Sequence, residues 1–172
     1  MSQTFQNPPV APETLPTVAD IDWQRLAGRY IGQVIIERLL LFALAGIGFT
    51  ILVASGRLPP DRVALASAIL VIVFVAMLLH AVLAARRKAY AVRQHDVLFR
   101  SGLLFRTVTA VPLNRIQHVE LHRGPLERGF KLATLQVFTA GGSGSDLSVP
   151  GLNEARGAQL REYILGQIGH ES

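Results

Sequence analysis

VALASAILVIVFVAMLLHAVLAA, the stretch from Val63 to Ala85, decides the fold because none of its 23 residues carries a permanent charge. As a helix it would span about 35 Å at 1.5 Å per residue, which is enough to cross the hydrocarbon core of a bilayer. A buried helix of a soluble protein would need neighbours covering every face over that whole length. The stretch therefore predicts a membrane-spanning helix.

A second apolar run, LLLFALAGIGFTILVAS (39–55), precedes this stretch. Its 17 uncharged residues are few for a span, but Arg38 and Arg57 can extend their charged ends to water from its two ends. Only GRLPPDR separates the two runs, and its prolines favour a turn that makes the helices an antiparallel hairpin. We expect a transmembrane hairpin over residues 38–88, with spans at about 39–55 and 63–85.

The charges around the hairpin predict its orientation, because both chain ends must lie on one side of the membrane. The flanking cations on that side are Arg25, Arg29 and Arg38 before the hairpin and Arg86, Arg87, Lys88 and Arg93 after it. The turn between the spans carries only Arg57 and Arg62. Since cytoplasmic loops carry the excess of Lys and Arg, we expect both termini to be cytoplasmic.

Two segments lie before the hairpin. Residues 1–19 contain four prolines and no basic residue, which predicts a disordered tail. Residues 20–37 place apolar and aromatic side chains at helical spacing, which predicts an interfacial amphipathic helix. Trp23, Tyr30 and Arg38 are its candidate membrane-interface anchors.

The sequence after Lys88 changes to short alternating runs separated by turn residues. We expect strands at 89–95, 97–100, 103–113, 115–122, 134–140 and 147–149, with a short helix over 126–131. Asn153 is a good N-cap for a final helix ending near Ile168. Many strands followed by one helix predict a small barrel or sandwich, over residues 89–172, covered by that helix.

The formal net charge of +5 lies entirely in the part of the chain after Ala85. The candidate contacts to anionic lipid headgroups are Arg86, Arg87, Lys88 and Arg93. A simpler interpretation is that these residues only set the topology. The sequence alone does not place four further cations on one surface: Arg100, Arg106, Arg115 and Arg123. Because the charge is scattered and lacks a recognition pattern, we expect no nucleic-acid partner.

Motifs for catalysis and metal binding are weak in this chain. The absence of cysteine excludes disulfides and thiolate metal sites. His118 and His122 would lie about 13 Å apart on the expected strand, too far to share an ion. GGSGSD (141–146) matches one calcium-binding repeat but occurs once, which favours a hairpin turn. We therefore expect no catalytic residue, no cofactor site and no metal site.

The stretch VPLNRIQHVELHRGPLERGFKLATLQVFTAG (111–141) resembles the bacterial pleckstrin-homology-like (bPH2) membrane proteins, and the chain is most similar to their YdbS-like short branch. The matching motifs are FRSGLLFR (99–106), PLNRIQHV (112–119), GPLER (124–128) and LATLQVFTAG (132–141). One departure is Lys131, since similar proteins have glycine between the phenylalanine and the Leu-Ala pair.

The resemblance implies a two-helix transmembrane hairpin plus an α+β or all-β PH-like open barrel capped by a C-terminal helix. It implies a bacterial inner-membrane protein of a family for which no catalytic residues are established. It also implies a second membrane protein with several PH-like domains as partner, unless the chain forms a homo-oligomer. We expect a non-enzymatic module that mediates protein assembly at the cytoplasmic face. One alternative is a sensor of anionic phospholipid. Another is a subunit of a transport or export complex, which rests on the spans and on His80.

Overall fold

A computed structural model of the chain describes residues 21–140 and 144–168. The expected tail over residues 1–19 lies outside the described residues, as does half of the expected turn at 141–146. Two long apolar helices are followed by antiparallel strands in sheets of four and three and by a C-terminal helix. This arrangement confirms the predicted fold class, a transmembrane hairpin with a PH-like barrel.

The elements follow one another in a simple order along the chain. They are β1 (Gln24–Arg25), α1 (Arg29–Ala54), α2 (Pro60–Arg87), β2 (Ala89–Val92), β3 (Asp96–Ser101), β4 (Thr107–Pro112), β5 (Ile116–His122), α3 (Pro125–Phe130), β6 (Leu132–Thr139), β7 (Leu147–Asn153) and α4 (Glu154–Ile168). One sheet has the order β1-β2-β3-β4 and the other β5-β6-β7, with every neighbouring pair antiparallel.

The helices α1 and α2 have 26 and 28 residues, so each is about 40 Å long, more than the thickness of a hydrocarbon core. Only 6% of the most apolar 18-residue stretch in each helix is buried, so neither serves as the core helix of a soluble domain. The rings of Phe42 and Phe74 stack at 4.0 Å between the two helices. Pro60 begins α2, and Asp61 in its first turn suits the positive end of the helix dipole.

The segment 20–37 does not form the single interfacial helix expected from its spacing. Gln24–Arg25 is a strand, and α1 begins at Arg29 and continues without a break into the first span. Gly28 lies between them, and glycine inside a helix costs about 1 kcal/mol relative to alanine. The apolar periodicity therefore came from two different elements, of which the first completes a sheet edge.

The transmembrane hairpin lies between the first two strands of a single sheet. Gln24 pairs with Tyr90, and Arg25 pairs with Ala89. The sheet therefore takes a strand from the chain before the hairpin as well as from residues 89–172, where we had placed the whole domain.

The barrel core lies between the two sheets and is covered by α4. Its most buried side chains include Val97, Val137, Val149 and Ile164. The N-cap expected at Asn153 is confirmed, since its Oδ1 accepts a hydrogen bond from the Ala155 N–H at 3.1 Å. Aliphatic side chains of α4 thus cover the barrel as the sequence predicts.

A second apolar cluster joins the hairpin to the barrel. Tyr30 and Val34 from α1 are buried with Ala85 from α2 and Leu132 from β6. The Tyr30 ring lies against Gly151, which has φ +66° and no side chain to obstruct it. The membrane helices are therefore packed against the domain.

The long strand expected at 103–113 is shorter, because residues 102–106 form a turn and β4 begins at Thr107. Gly102 has φ +102°, and a Cβ there would lie 1.8 Å from the Phe105 carbonyl oxygen. Only glycine is compatible with that tight reversal. The apolar residues Leu103 to Phe105 therefore belong to a loop.

The short helix expected over 126–131 is confirmed as α3, and Lys131 ends it in the left-handed conformation at φ 54°. This is the position where similar proteins have glycine, the residue that adopts such angles without strain. Buried Glu127 accepts hydrogen bonds from the Gly124 N–H at 2.7 Å and the Thr134 hydroxyl at 2.5 Å. The turn therefore forms in spite of the substitution.

Candidate anion-binding site

The end of α2 places a group of cations where the hairpin meets the barrel. Arg86 and Arg87 occupy its last turn, where positive charge is favoured by the helix dipole. Lys88 follows in an extended conformation and leads directly into β2. Three consecutive basic side chains therefore lie at the end of a membrane-spanning helix.

Strand pairing adds two arginines to these cations. Arg25 of β1 and Arg100 of β3 both pair with Ala89, from opposite sides of β2. Residues directly opposite each other in a sheet project from the same face. Because the alanine between them is small, it leaves space between the two longer side chains.

Together these elements form a pocket of about 330 Å³, which we call the basic pocket. It is lined by Arg25, Arg86, Arg87, Lys88, Arg100 and Arg106, with Ala89 and Gly102. Within the described part of the chain, none of its six cations forms an ion pair with a carboxylate. The basic pocket therefore holds uncompensated positive charge, which an anion would neutralise.

Neutral groups hold three of these cations in place. Lys88 Nζ donates a hydrogen bond to the Tyr30 hydroxyl at 2.9 Å, and Arg87 Nη1 donates one to the Leu103 carbonyl at 3.2 Å. The Arg100 guanidinium lies 4.7 Å from the centre of the Trp23 ring. These contacts orient the side chains without cancelling their charge.

A second cavity, of about 390 Å³, adjoins the basic pocket and shares Arg25, Arg86 and Lys88 with it. We call it the apolar cleft; its other lining residues are Leu26, Ala27, Gly28, Tyr30, Ile31 and Ala85. These residues come from the segment just before α1, the start of α1 and the end of α2. A cationic pocket and an apolar space therefore meet at the membrane end of the barrel.

Of the four expected headgroup contacts, the structure brings together Arg86, Arg87 and Lys88 but not Arg93. Arg93 lies in the turn between β2 and β3 and forms a bidentate ion pair with Asp96. The side-chain hydrogen bond to Asp96 raises the pKa of Arg93. Its charge is already compensated by this partner and it does not line the basic pocket, so its headgroup contact stays a prediction.

The cations left unplaced by the sequence divide into two groups. Arg100 and Arg106 line the basic pocket, whereas Arg123 forms an ion pair with Glu154 and Arg115 is an exposed residue before β5. Arg25 was missed as a pocket residue because we had assigned it to a helix. The signal that could have found it is the break at Gly28, which separates Arg25 from α1.

The three expected membrane anchors lie in different surroundings. Tyr30 is only 8% exposed and packs inside the protein, so it does not present its ring to lipid. Trp23 forms a cation–π contact with Arg100 beside the basic pocket. Arg38 is half-buried on α1, and its anchoring role stays a prediction.

The remaining ionisable candidates occupy separate places. His118 and His122 both lie on β5, as expected, and His118 is within 3.0 Å of Glu120. Among the described residues no three His, Asp or Glu side chains are grouped as metal ligands would be. Glu37 accepts a hydrogen bond from Gln33 one turn away on α1, at 2.9 Å, and His80 is exposed on α2.

Comparison with known proteins shows which family the chain resembles. Residues 31–168, which include α2 and all but the first two residues of α1, match the model of the family described as "Bacterial PH domain" (bPH_2). The transmembrane protein YdbS of Bacillus subtilis (strain 168) is 35% identical over 75 residues, or 44% of this chain. That alignment spans 45% of the Bacillus protein, less than half its length.

No solved structure matches this chain. The family match extends from α1 to the end of α4, and the observed sheets of four and three strands with a C-terminal helix agree with a PH-like fold. Its members are known as PH-domain membrane proteins and not as an enzyme family. The chain therefore belongs to the bacterial PH domain family, as a membrane protein with a two-helix hairpin inserted between the first two strands of its barrel.

Proposed function

We propose that this protein is a non-enzymatic, membrane-anchored PH-like module that binds the phosphate of an anionic phospholipid headgroup in its basic pocket. The observation that carries the proposal is the convergence of six unpaired cations from β1, the end of α2, β3 and the following loop. Our sequence-based preference was protein assembly, with lipid binding as the alternative. We now prefer lipid binding, because the basic pocket supports it.

Location and charge both favour a lipid as the ligand. The basic pocket begins at the last turn of α2, so it lies at the depth of lipid headgroups if α2 spans the bilayer. Basic side chains near an anionic membrane surface contribute about 1 kcal/mol each. Several of them around one phosphate would favour an anionic headgroup over a zwitterionic one.

The apolar cleft favours a phospholipid over free phosphate. It shares three cations with the basic pocket and lies between the start of α1 and the end of α2. A phospholipid carries a charged phosphate beside apolar chains, so the two cavities match its two parts. A free inorganic anion would leave the apolar cleft empty.

A pair of double variants tests the proposal in the full chain. Arg100→Ala with Arg106→Ala removes two pocket cations, and Arg115→Ala with Arg161→Ala removes two exposed cations outside it. Both variants lower the net charge equally, and neither changes Arg86, Arg87 or Lys88, which also set topology. Native mass spectrometry of the detergent-solubilised protein would count bound phosphatidylglycerol, phosphatidylcholine or inorganic phosphate.

We expect the wild type to retain phosphatidylglycerol in preference to phosphatidylcholine. The pocket variant should bind it about thirtyfold more weakly, as loss of about 2 kcal/mol implies. The outside variant should bind like wild type, because exposed charges away from the ligand are screened. Equal effects of the two variants would reject the pocket, and equal binding of inorganic phosphate would reject a lipid ligand.

For the membrane orientation, we propose that the amino terminus and the barrel face the cytoplasm from a bacterial inner membrane. The support is the charge distribution: Arg25, Arg86, Arg87 and Lys88 lie at the barrel end of the hairpin, against Arg57 and Arg62 near the other end. Cytoplasmic leaflets are rich in anionic lipid, so this orientation would place the basic pocket beside its proposed ligand.

Protein assembly remains a second candidate function, and the edge of β4 favours it. No other described strand pairs with the outer side of β4, the last strand of its sheet. The strand reads TVTAVP and carries no charged side chain, although exposed edges are usually protected by charge. A strand of a second PH-like membrane protein, or of another copy, could pair with this edge.

A substitution at this edge tests assembly, provided that phosphatidylglycerol binding is measured in the same variant, because Val108 pairs with the pocket residue Arg100. Val108 is 40% exposed on β4, and Val108→Lys adds the protective charge that the edge lacks. Crosslinking in native membranes followed by mass spectrometry should recover a stoichiometric partner with wild type but not with Val108→Lys. Loss of the partner with lipid binding retained would assign the contact to this edge. Recovery of the same partner by both would exclude this edge as the contact.

A further inference from the structure

The turn between β3 and β4 exposes two large apolar side chains to an unusual degree. In this turn, residues 102–106, Leu104 is 81% exposed and Phe105 is 88% exposed. Because the two side chains are adjacent, they form a contiguous apolar patch, and such patches mark contact with a partner or a membrane. We call this turn the apolar tip.

The backbone of the apolar tip is held in this shape. Gly102 adopts φ +102°, a conformation that allows the close approach of the Phe105 carbonyl. On the other side, the Leu103 carbonyl accepts a hydrogen bond from Arg87 Nη1 at 3.2 Å. The exposure of Leu104 and Phe105 is therefore a property of an anchored turn.

Strand register places the apolar tip at the membrane end of the barrel. Arg100 pairs with Ala89, the second residue after α2 ends, and Ser101 pairs with Thr107 across the turn. The opposite turn, which contains Gln94, lies at the far end of β3, about 17 Å away at 3.3 Å per residue. The apolar tip and the end of α2 thus lie side by side.

We propose that Leu104 and Phe105 insert into the bilayer beside the hairpin. The bilayer is the occupant that continuity favours, because Arg87, the last residue of a membrane-spanning helix, contacts the tip directly. Arg106 and Gly102 of the same turn line the basic pocket, so the inserted side chains would flank the headgroup site. Insertion depends on apolar burial and does not require that the basic pocket bind an anion.

Site-directed spin labelling can measure this insertion, since the chain contains no cysteine and each introduced one is unique. The test variants are Leu104→Cys and Phe105→Cys, made in the full-length protein in phosphatidylcholine vesicles at low protein density. Gln94→Cys, in the opposite turn, is the exposed control, and Val75→Cys on α2 is the membrane reference. The readout is accessibility to oxygen, which enters lipid, relative to a water-soluble nickel complex.

We expect the labels at 104 and 105 to favour oxygen, like the label at 75, and the label at 94 to favour nickel. Labels at 104 and 105 that resemble 94 would overturn the proposal, because the tip would then be in water. Labels shielded from both reagents would also overturn it, since a protein surface would then cover the tip. Insertion retained in the Arg100→Ala, Arg106→Ala variant would separate this result from failure of headgroup binding.

Discussion

Gly151 illustrates at the residue scale how the barrel accepts the membrane helix. Its φ of +66° is strained for any other residue, and its missing side chain makes room for Tyr30. A Cβ built at this position lies 2.4 Å from Cγ of the tyrosine ring. One glycine thus allows α1 to pack directly on β7.

Gly151→Ala should therefore destabilise the fold by about 2–4 kcal/mol, from left-handed strain and overpacking together. Thermal unfolding in detergent, followed by Trp23 fluorescence, would measure the loss. In a Tyr30→Ala background the same substitution should cost less, because the clash with the ring is gone. Equal costs in both backgrounds would contradict the contact and leave only backbone strain.

At Lys131, by contrast, we expect a substitution to glycine to stabilise the fold. Its left-handed φ of 54° ends α3 where glycine would be unstrained. Lys131→Gly should raise the free energy of unfolding by about 1 kcal/mol, the strain of one such residue. Lys131→Ala, which keeps the strain, is the control and should leave stability nearly unchanged, as chemical denaturation can show.

At the scale of elements, the β6–β7 hairpin is closed by a carboxylate. The Asp146 side chain accepts hydrogen bonds from the Thr139 hydroxyl and the Thr139 N–H, both at 2.7 Å. The hydroxyl bond first, and then the backbone bond, lower the pKa of Asp146. The only acidic residue of GGSGSD therefore stabilises the hairpin through these bonds.

A lowered pKa stabilises the fold while the carboxylate is charged, and that stabilisation is lost as the pH falls through the folded-state value. Asp146→Asn should therefore lower the melting temperature at pH 7, with a smaller difference from wild type below the ordinary aspartate pKa of about 4. Thr139→Val should reproduce part of the effect. A difference that stays constant from pH 7 to pH 3 would contradict this account.

Considered as a whole, the molecule is a barrel interrupted by a membrane hairpin. Because β1 precedes α1 and β2 follows α2, both ends of the hairpin are fixed in one sheet. The cluster of Tyr30, Val34, Ala85 and Leu132 then packs the helices against the barrel. The basic pocket and the apolar tip are consequently held at a constant position relative to the two membrane helices.

The proposed topology follows at this scale and can be tested with unique cysteines. Ser55→Cys lies at the end of α1 in the turn between the spans, and Gln94→Cys lies in the barrel. An impermeant maleimide should label 55 in intact spheroplasts and 94 only after permeabilisation. The reverse pattern would place the barrel outside the cytoplasm and away from the proposed anionic leaflet.

The sequence predicted those elements whose signals are local. Continuous apolar runs indicated α1 and α2, an N-cap at Asn153 indicated α4, and alternation indicated most strands. Half of the basic pocket was also visible, since Arg86, Arg87 and Lys88 are consecutive. These features depend on neighbouring residues alone, and hydrophobic burial in lipid or in the core is enough to specify them.

Only the tertiary structure decided which segments distant in sequence come into contact. β1 has two residues, too few for an alternating pattern, and its partner Ala89 lies beyond both membrane helices. Backbone hydrogen bonds across that pair bring Arg25 to Arg100, and the turn after β3 adds Arg106. The sequence by itself determined a membrane hairpin followed by a PH-like barrel. Long-range strand pairing decided that six cations form one pocket. The sequence does not show this pairing, because backbone hydrogen bonds between strands form whatever the side chains are.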